Sequence, residues 1–500
     1  MQDAKAMRLG PRRLIKTVLI SSVMSMSFWE WSALPASAQA SSGYAGTISS
    51  SQQKGGSQAA SPMTLSAQSP FAGSVPEGKA TGNVLPLSFQ DALNRGLRNN
   101  LGLLLGSDNT LTARGEKWHE LSAMLPHVNA DVSEAIMQNN LAAQGLRFPN
   151  FPSIIGPFAY FDVRANFSED LSYSSWLRIR GASNNEEAAR LSLKDARDLV
   201  TLAVGNAYLQ ALAGAARVDT AIAQSETAQA LYTKSVDQQK AGVSPAIDTL
   251  RAQVEQQSRQ QQLIVSRNNY AKQKLALARI IGLPPGQEFT LTDTAPYAPL
   301  ATAGLDQSLQ RAYASRSDYQ ATIQRVRAAE RFRNAASAEH YPSLSFAGNY
   351  GDLGTTPGNS HGTFQFIGTL NIPIFQGGKT HGEVLQAEAT LRQNRQQLEN
   401  LRGQIDYEVR TALLDLAAAN EQVEVAKSSV DLAGQTLTQS RDRFAAGVTD
   451  NLEVVQAQEA VATANENYIS SLYAHNLAKV ELARALGYAE EGVKQYLKSK

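Results

Sequence analysis

The chain of 500 residues contains no cysteine. This absence excludes a disulfide scaffold, a cysteine-ligated metal centre, a thiol nucleophile and an N-terminal lipidated cysteine. A charge excess of either sign is also missing, because 46 Lys and Arg residues stand against 45 Asp and Glu residues. A nucleic-acid-binding protein normally shows a basic excess or a basic stripe, so we do not expect a nucleic-acid partner.

The sequence also lacks the motifs of common catalytic sites. We find no phosphate-binding loop, nucleophile elbow or dinucleotide fingerprint in a strand–turn–helix context. The six histidines are scattered, and none forms a pair at the spacing of metal ligands. We therefore expect neither an enzyme nor a resident cofactor or metal.

The N-terminal 40 residues have the features of a secretory signal peptide. Basic residues precede the mostly apolar stretch 17–28, and small residues at 36–40 offer cleavage sites. About a dozen apolar residues are too few for a membrane anchor, which needs about 20. Residues 41–84 are rich in Ser, Gly, Ala and Gln, which predicts a disordered linker. No later stretch of 18 residues is wholly apolar, so we expect no helix that crosses a membrane.

Parts of the sequence recur at fixed separations. The tripeptide Ala-Gly-Val at 241–243 returns at 446–448, and segment 274–282 resembles segment 479–487, both 205 residues later. Such self-similarity indicates an internal duplication. We interpret the chain as a first copy over 85–300, a second copy over 301–488 and a short tail over 489–500.

Each copy is predicted to contain an opening helix, two strands and a long helical hairpin, in that order. In the first copy, these elements cover about 88–123, 126–136, 158–171 and 177–282. In the second copy, they cover about 304–339, 342–351, 363–375 and 379–487.

Apolar residues in the long helices recur at alternating spacings of three and four. In the second copy, the series is Ile405, Val409, Ala412, Leu416, Ala419, Val423, Ala426, Val430, Ala433 and Leu437. This 3.5-residue period is typical of coiled coils. A helix from 379 to 440 would be about 90 Å long, far longer than a globular core needs. Gly242 and Gly447 are expected to end the first helix of each hairpin.

The predicted strands alternate apolar and polar residues. We expect one face to contact lipid, with Phe161, Val163, Phe167, Phe366 and Leu370 on it. The other face carries Asp162, Arg164, Gln365 and Asn371 and is expected to line a lumen. Taken singly, each strand would be better explained as part of an ordinary half-buried hairpin. The barrel interpretation rests on all four strands, because the neighbouring coiled coils already bury their own seams and leave nothing to cover the apolar faces. Because four strands cannot close a barrel and lipid does not tolerate open edges, we expect the chain to oligomerise, and three copies of four strands would be enough to close a barrel.

These features together resemble the outer-membrane efflux protein (TolC) family. The resemblance rests on the Leu-Pro at 125–126 and Tyr-Pro at 341–342 that enter strands, and on the Ile-Pro-Ile-Phe-x-Gly-Gly run at 372–378. The paired Ala-Gly-Val turns and the recurring Leu-Ala-Arg…Gly helix ends add to it, and the match covers roughly 86–488.

The resemblance implies a fold that is mainly helical with a β-barrel part. A homotrimer would close a twelve-strand outer-membrane barrel in contact with lipid, above a tunnel of helical hairpins in the periplasm. It further implies a passive exit duct of a tripartite efflux or type I secretion system. Its partners would be a periplasmic adaptor protein and an inner-membrane transporter. The adaptor is expected to contact the hairpin tips at Gly242, Val243, Gly447 and Val448.

Acidic residues near the hairpin tips are candidates for the periplasmic aperture. They are Asp248, Asp450 and Glu453. A threefold ring of carboxylates would attract cations. Asp450 and Glu453 also have the spacing of a capping box, so a purely structural role stays open.

A different class of protein, a periplasmic coiled-coil adaptor or scaffold without a barrel, is the alternative. An adaptor normally has one helical hairpin between separate β-rich domains. This sequence predicts two hairpins and four amphipathic strands, which favours the channel.

Overall fold

The computed structural model describes residues 69–143, 145–146, 149, 151–293, 297–300, 304–449 and 451–496. The predicted signal peptide, the first part of the predicted linker and Asp450 lie outside these residues.

The linker prediction is wrong for residues 69–84, which pack onto the protein. Pro70–Ala72 form a short 3-10 helix, and Phe71 packs against the main hydrophobic core. The Asn100 side chain donates a hydrogen bond to the Phe71 carbonyl at 2.9 Å, and the Val75 amide donates to the Asn99 carbonyl at 2.9 Å. Residues 69–84 therefore belong to the folded part of the chain, because Phe71 supplies apolar surface that the Ser- and Gly-rich composition obscures.

The described elements follow the predicted order. Before the second copy they are β1 (Leu85–Leu87), α1 (Phe89–Asn99), α2 (Leu101–Ser122), β2 (His127–Asn140), β3 (Ile154–Leu171), α3 (Tyr173–Lys240), α4 (Ala246–Ile281) and β4 (Phe289–Leu291). Then follow α5 (Leu305–Ser315), α6 (Ser317–Ala338), β5 (Ser343–Gly354), β6 (Ser360–Asn371), α7 (Lys379–Ala445), α8 (Asn451–Ala485) and α9 (Ala489–Tyr496). The predicted tail thus contains a helix, in which Val493 is fully buried.

Each opening helix is broken in two, where the sequence predicted one continuous helix. Asn100 has an extended backbone, with ψ at 132°, and its side chain accepts a hydrogen bond from the Gly102 amide at 2.9 Å. Arg316 interrupts the second copy in the same way, with ψ at 120°. Asn100 caps the new helix start, and Arg316 is buried among carboxylates, so tertiary contacts override helix propensity at both sites.

Four strands form one antiparallel sheet in the order β2-β3-β5-β6. Each strand runs antiparallel to its neighbour, from the Val128–Phe167 pair in the first hairpin to the Leu344–Leu370 pair in the second. β2 and β6 are the outer strands, and each pairs along one side only within the described chain. β1 and β4 form a separate short parallel pair that the sequence did not predict.

The long helices pack side by side in two levels. Next to the sheet, the packing order is α2, α3, α6 and α7; towards the hairpin turns it is α4, α3, α8 and α7. The predicted seam of α7 is buried from Ile405 to Ala426, mainly against α8. α2 and α4 therefore form one side of the layer and α7 forms the other.

One described helix, α3, contains a stretch long and apolar enough to cross a membrane by length and composition. Most of that stretch is buried inside the protein, including Val200, Val204 and Tyr208. A core helix passes the same test, and we interpret α3 as one.

Candidate functional site

The strand register places all five predicted lipid-facing residues on one face of the sheet. Phe167 pairs with Gly348 and Gly348 with Phe366, so these positions lie side by side across three strands. Phe161, Val163 and Leu370 share this face by alternation. On the outer strands, the face is uncovered: Phe366 and Leu370 are exposed, as are Val128, Val132 and Ile136 of β2.

The opposite face of the sheet is polar and internally bonded. Asn166 donates a hydrogen bond to Asp131 on the neighbouring strand at 2.6 Å, and Arg164 forms an ion pair with Asp162 at 2.7 Å. Gln365 lies opposite Asn349 on this face. The sheet therefore presents one mainly apolar and one mainly polar surface, as a barrel wall between lipid and water requires.

The two hairpin turns have the same geometry. Gly242 and Gly447 both adopt φ of +73°, a left-handed conformation that glycine reaches without strain. The Val243 amide donates to the Gln238 carbonyl and the Val448 amide to the Arg443 carbonyl, each at 3.0 Å. This pattern is the Schellman helix end. Both valine side chains are exposed at the turns.

Glu453 contacts the C-terminal end of helix α7, next to the second hairpin turn. Its carboxylate accepts hydrogen bonds from the Thr449 hydroxyl at 2.6 Å and the Ser440 hydroxyl at 3.3 Å. The Arg443 guanidinium lies 3.6 Å away. The Glu453 side chain nevertheless remains 35% exposed. Its carboxylate can therefore contact solvent while it braces the turn.

Asp248 occupies the matching place in the first hairpin but is less accessible. Its carboxylate accepts a hydrogen bond from Ser244 at 3.0 Å and lies 3.6 Å from Arg251. The side chain is 11% exposed, and association with other chains can only lower that fraction. Asp248 is thus the weaker aperture candidate, and Asp450, the third, lies outside the described residues.

A buried ion-pair cluster joins the two halves of the chain at the helix break of the second copy, where Arg316 lies. Arg316 pairs with Asp318 at 2.6 Å and with Glu408 of α7, and Arg484 of α8 pairs with Asp195 of α3 at 2.6 Å. Burial raises the pKa of Asp195 to about 6, because desolvation outweighs the attraction of Arg484. No local sequence pattern indicates this cluster, since its members are far apart in the chain.

Two more buried polar side chains on α8 were also missed. Lys479 donates a hydrogen bond to the Ala298 carbonyl at 2.6 Å, and burial lowers its pKa to about 8. His475 is fully buried beside the Tyr297 ring, and burial lowers its pKa to about 4. Lys479 and His475 hold the segment around residues 297–298, which links the two copies, against α8. In the sequence, a charged lysine among the regularly spaced apolar residues of α8 could have indicated this buried contact.

No group of three or more His, Asp or Glu side chains among the described residues is arranged to hold a metal ion.

Known proteins resemble the chain along most of its length. Residues 308–488 match the family model described as outer membrane efflux protein. OprJ of Pseudomonas aeruginosa is 27% identical over a region that covers 61% of this chain and 63% of OprJ. TolC of Vibrio cholerae is 22% identical over 74% of this chain and 84% of its own.

The fold is similar to that of a solved outer-membrane channel. The structure of CmeC from Campylobacter jejuni aligns with a TM-score of 0.69 at 16% identity, covering 88% of this chain and 98% of CmeC. The alternative of a periplasmic adaptor without a barrel does not fit these relatives. The chain is therefore similar to the outer membrane efflux protein family over residues 308–488, and to outer membrane proteins along most of its length.

Proposed function

We propose that the protein works as a homotrimeric exit duct whose twelve strands, four from each chain, close one outer-membrane barrel. The observation that carries this proposal is the isolated amphipathic sheet, with an uncovered apolar face and two outer strands that pair on one side. Lipid would cover the apolar face. Open strand edges are not tolerated in hydrocarbon, and about eight strands are the practical minimum for closure.

Strand direction supports a ring of copies. β2 starts at the helical end of the sheet and β6 finishes there, so the two outer strands are antiparallel. β6 of one chain can therefore pair with β2 of the next and continue the antiparallel order. Three such contacts close a barrel in which Asp131, Arg164 and Gln365 line the lumen.

The helical layer would continue the barrel as a tunnel. α3 and α7 contain 68 and 67 residues, which correspond to about 100 Å of helix. That length suits a conduit across the periplasm, through which substrates pass without chemical change. The repeated element order further supports our interpretation of the chain as two copies of one unit.

We place the adaptor contact at the hairpin turns. Gly242, Val243, Gly447 and Val448 lie at the ends of the hairpins remote from the sheet, and the two valines present exposed apolar surface. A periplasmic adaptor seated there would join the duct to an inner-membrane transporter. Glu453, repeated by threefold symmetry, would place a ring of carboxylates at the same mouth and favour cations.

Planar-bilayer recording tests the function. Purified unheated protein is expected to form pores of one uniform conductance, and protein dissociated by heating is expected to form none. If the unheated protein forms no pores while its trimer is intact, the exit-duct function is contradicted.

A further inference from the structure

Helix α7 has two apolar stripes on opposite faces, and the described chain covers one of them. The buried seam includes Val409, Leu416 and Val423 and faces α8. Half a helical turn away, Leu414, Val425 and Leu432 form the α7 outer stripe, and they are 60–71% exposed. A helix that is apolar on two opposite faces is built for two partners.

Helix α4, on the opposite side of the helical layer, shows the same arrangement. Its buried positions, such as Ala252 and Leu277, face α3. Val254, Ile264 and Leu275 form the α4 outer stripe on the other face, and they are 63–70% exposed. Both stripes lie in the part of the layer that runs towards the hairpin turns.

The helix segments that carry the two stripes have opposite charge. Residues 259–281 of α4 contain five basic residues and no acidic one, whereas residues 411–440 of α7 contain four acidic residues and one basic one. Among the α4 bases, Arg267 and Lys272 are exposed and form no ion pair within the described chain. The same holds for Glu421 and Asp431 on α7. Glu421 lies between Leu414 and Val425 along the α7 outer stripe.

We infer that the α4 outer stripe of one copy seats on the α7 outer stripe of the next, and that their opposite charges make the assembly a ring. An α4-to-α4 contact would set bases against bases, and an α7-to-α7 contact would set acids against acids. Such like-charge contacts disfavour a two-fold dimer. The remaining α4-to-α7 contact is heterologous, and a heterologous contact forms a closed ring when its rotation closes, as the threefold barrel requires. The inference rests on the proposed trimer and adds what directs it.

Charge reversal within the full-length chain tests the inference. The acidic variant carries Arg267→Glu and Lys272→Glu, so that acids on α4 face acids on α7. The basic variant carries Glu421→Lys and Asp431→Lys, and the swapped variant carries all four changes. Trimer yield in the outer membrane should fall about tenfold or more in the acidic and basic variants, because like charges oppose each other. It should recover in the swapped variant, where opposite charges meet again.

Co-expression gives a sharper outcome. Swapped and unchanged chains with different tags should sort into separate trimers, because every mixed contact opposes like charges. A control chain with Glu226→Lys and Arg331→Glu, which reverses exposed charges on α3 and α6 away from the stripes, should mix freely with unchanged chains.

Three results would overturn the inference: unchanged trimer yield in both single-sided variants, no recovery in the swapped variant, or random mixing of swapped with unchanged chains. If a partner protein covers the stripes instead, trimer yield stays unchanged and capture of that partner falls, which also counts against it. Conducting trimers in those cases would leave the exit-duct function intact. If unchanged chains formed no trimer at all, the proposed function itself would fail.

Discussion

Glu453 and Asp248 occupy matching places in the two hairpins, but their carboxylates differ in access to water. Glu453 keeps 35% of its side-chain surface, whereas Asp248 keeps 11%. We predict that Glu453→Gln lowers the cation preference of the pore, because a neutral amide removes the ring charge and keeps hydrogen-bonding atoms for Thr449 and Ser440. Asp248→Asn is the matched control and should leave selectivity unchanged. Reversal potentials in planar bilayers measure both, and unchanged selectivity in Glu453→Gln would reduce that residue to a brace of the turn.

Asp195 gives a pH-dependent prediction at the same scale. Its pKa rises from 3.8 to about 6 in the folded chain, so the folded state holds the proton more tightly. The resulting stabilisation is complete below about pH 4 and is lost as pH rises through 6. Asp195→Asn should therefore gain stability relative to the unchanged protein across that window, by about 3 kcal/mol. Thermal midpoints between pH 4 and 7 test this, and a difference independent of pH would contradict it.

At the scale of elements, the strands and the hairpin seam followed from local periodicity. The alternation around Phe366 and Leu370 predicted the shared sheet face, and the three–four spacing from Ile405 to Ala426 predicted the buried seam. The helix breaks at Asn100 and Arg316 did not follow, because they depend on Phe71 and on distant carboxylates. The sequence also contains the exposed apolar residues of the α4 and α7 outer stripes. They become informative only once the structure shows that the seam from Ile405 to Ala426 is already buried within the chain.

The neighbouring residues Gln365 and Phe366 of β6 lie on opposite faces of the sheet, so substitutions at them test which face contacts lipid. Phe366→Arg would place a charge on the apolar face and should destabilise the folded barrel by about 2–4 kcal/mol. Gln365→Arg, on the polar face next to it, should be nearly neutral and is the matched control. Heat-dependent gel mobility of membrane fractions reports both. Equal tolerance of the two substitutions would refute the assignment of the lipid-facing surface.

At the scale of the whole molecule, the sheet and the helical layer are incomplete on the same two sides. β2, α2 and α4 end one side, and β6 and α7 end the other. A single operation that joins these sides would pair the strands, cover both helix stripes and enclose the polar face. In the proposed trimer, threefold rotation would do so with twelve strands, which is enough to close a barrel around an aqueous channel.

The mass of the unheated assembly tests this account most directly. Native mass spectrometry of protein extracted from outer membranes into mild detergent measures how many chains form the particle. We predict three copies of the processed chain and no other protein, dissociating to single chains on heating. A particle of one chain, or of two, would contradict the account, because four or eight strands arranged by that sheet order leave no threefold duct.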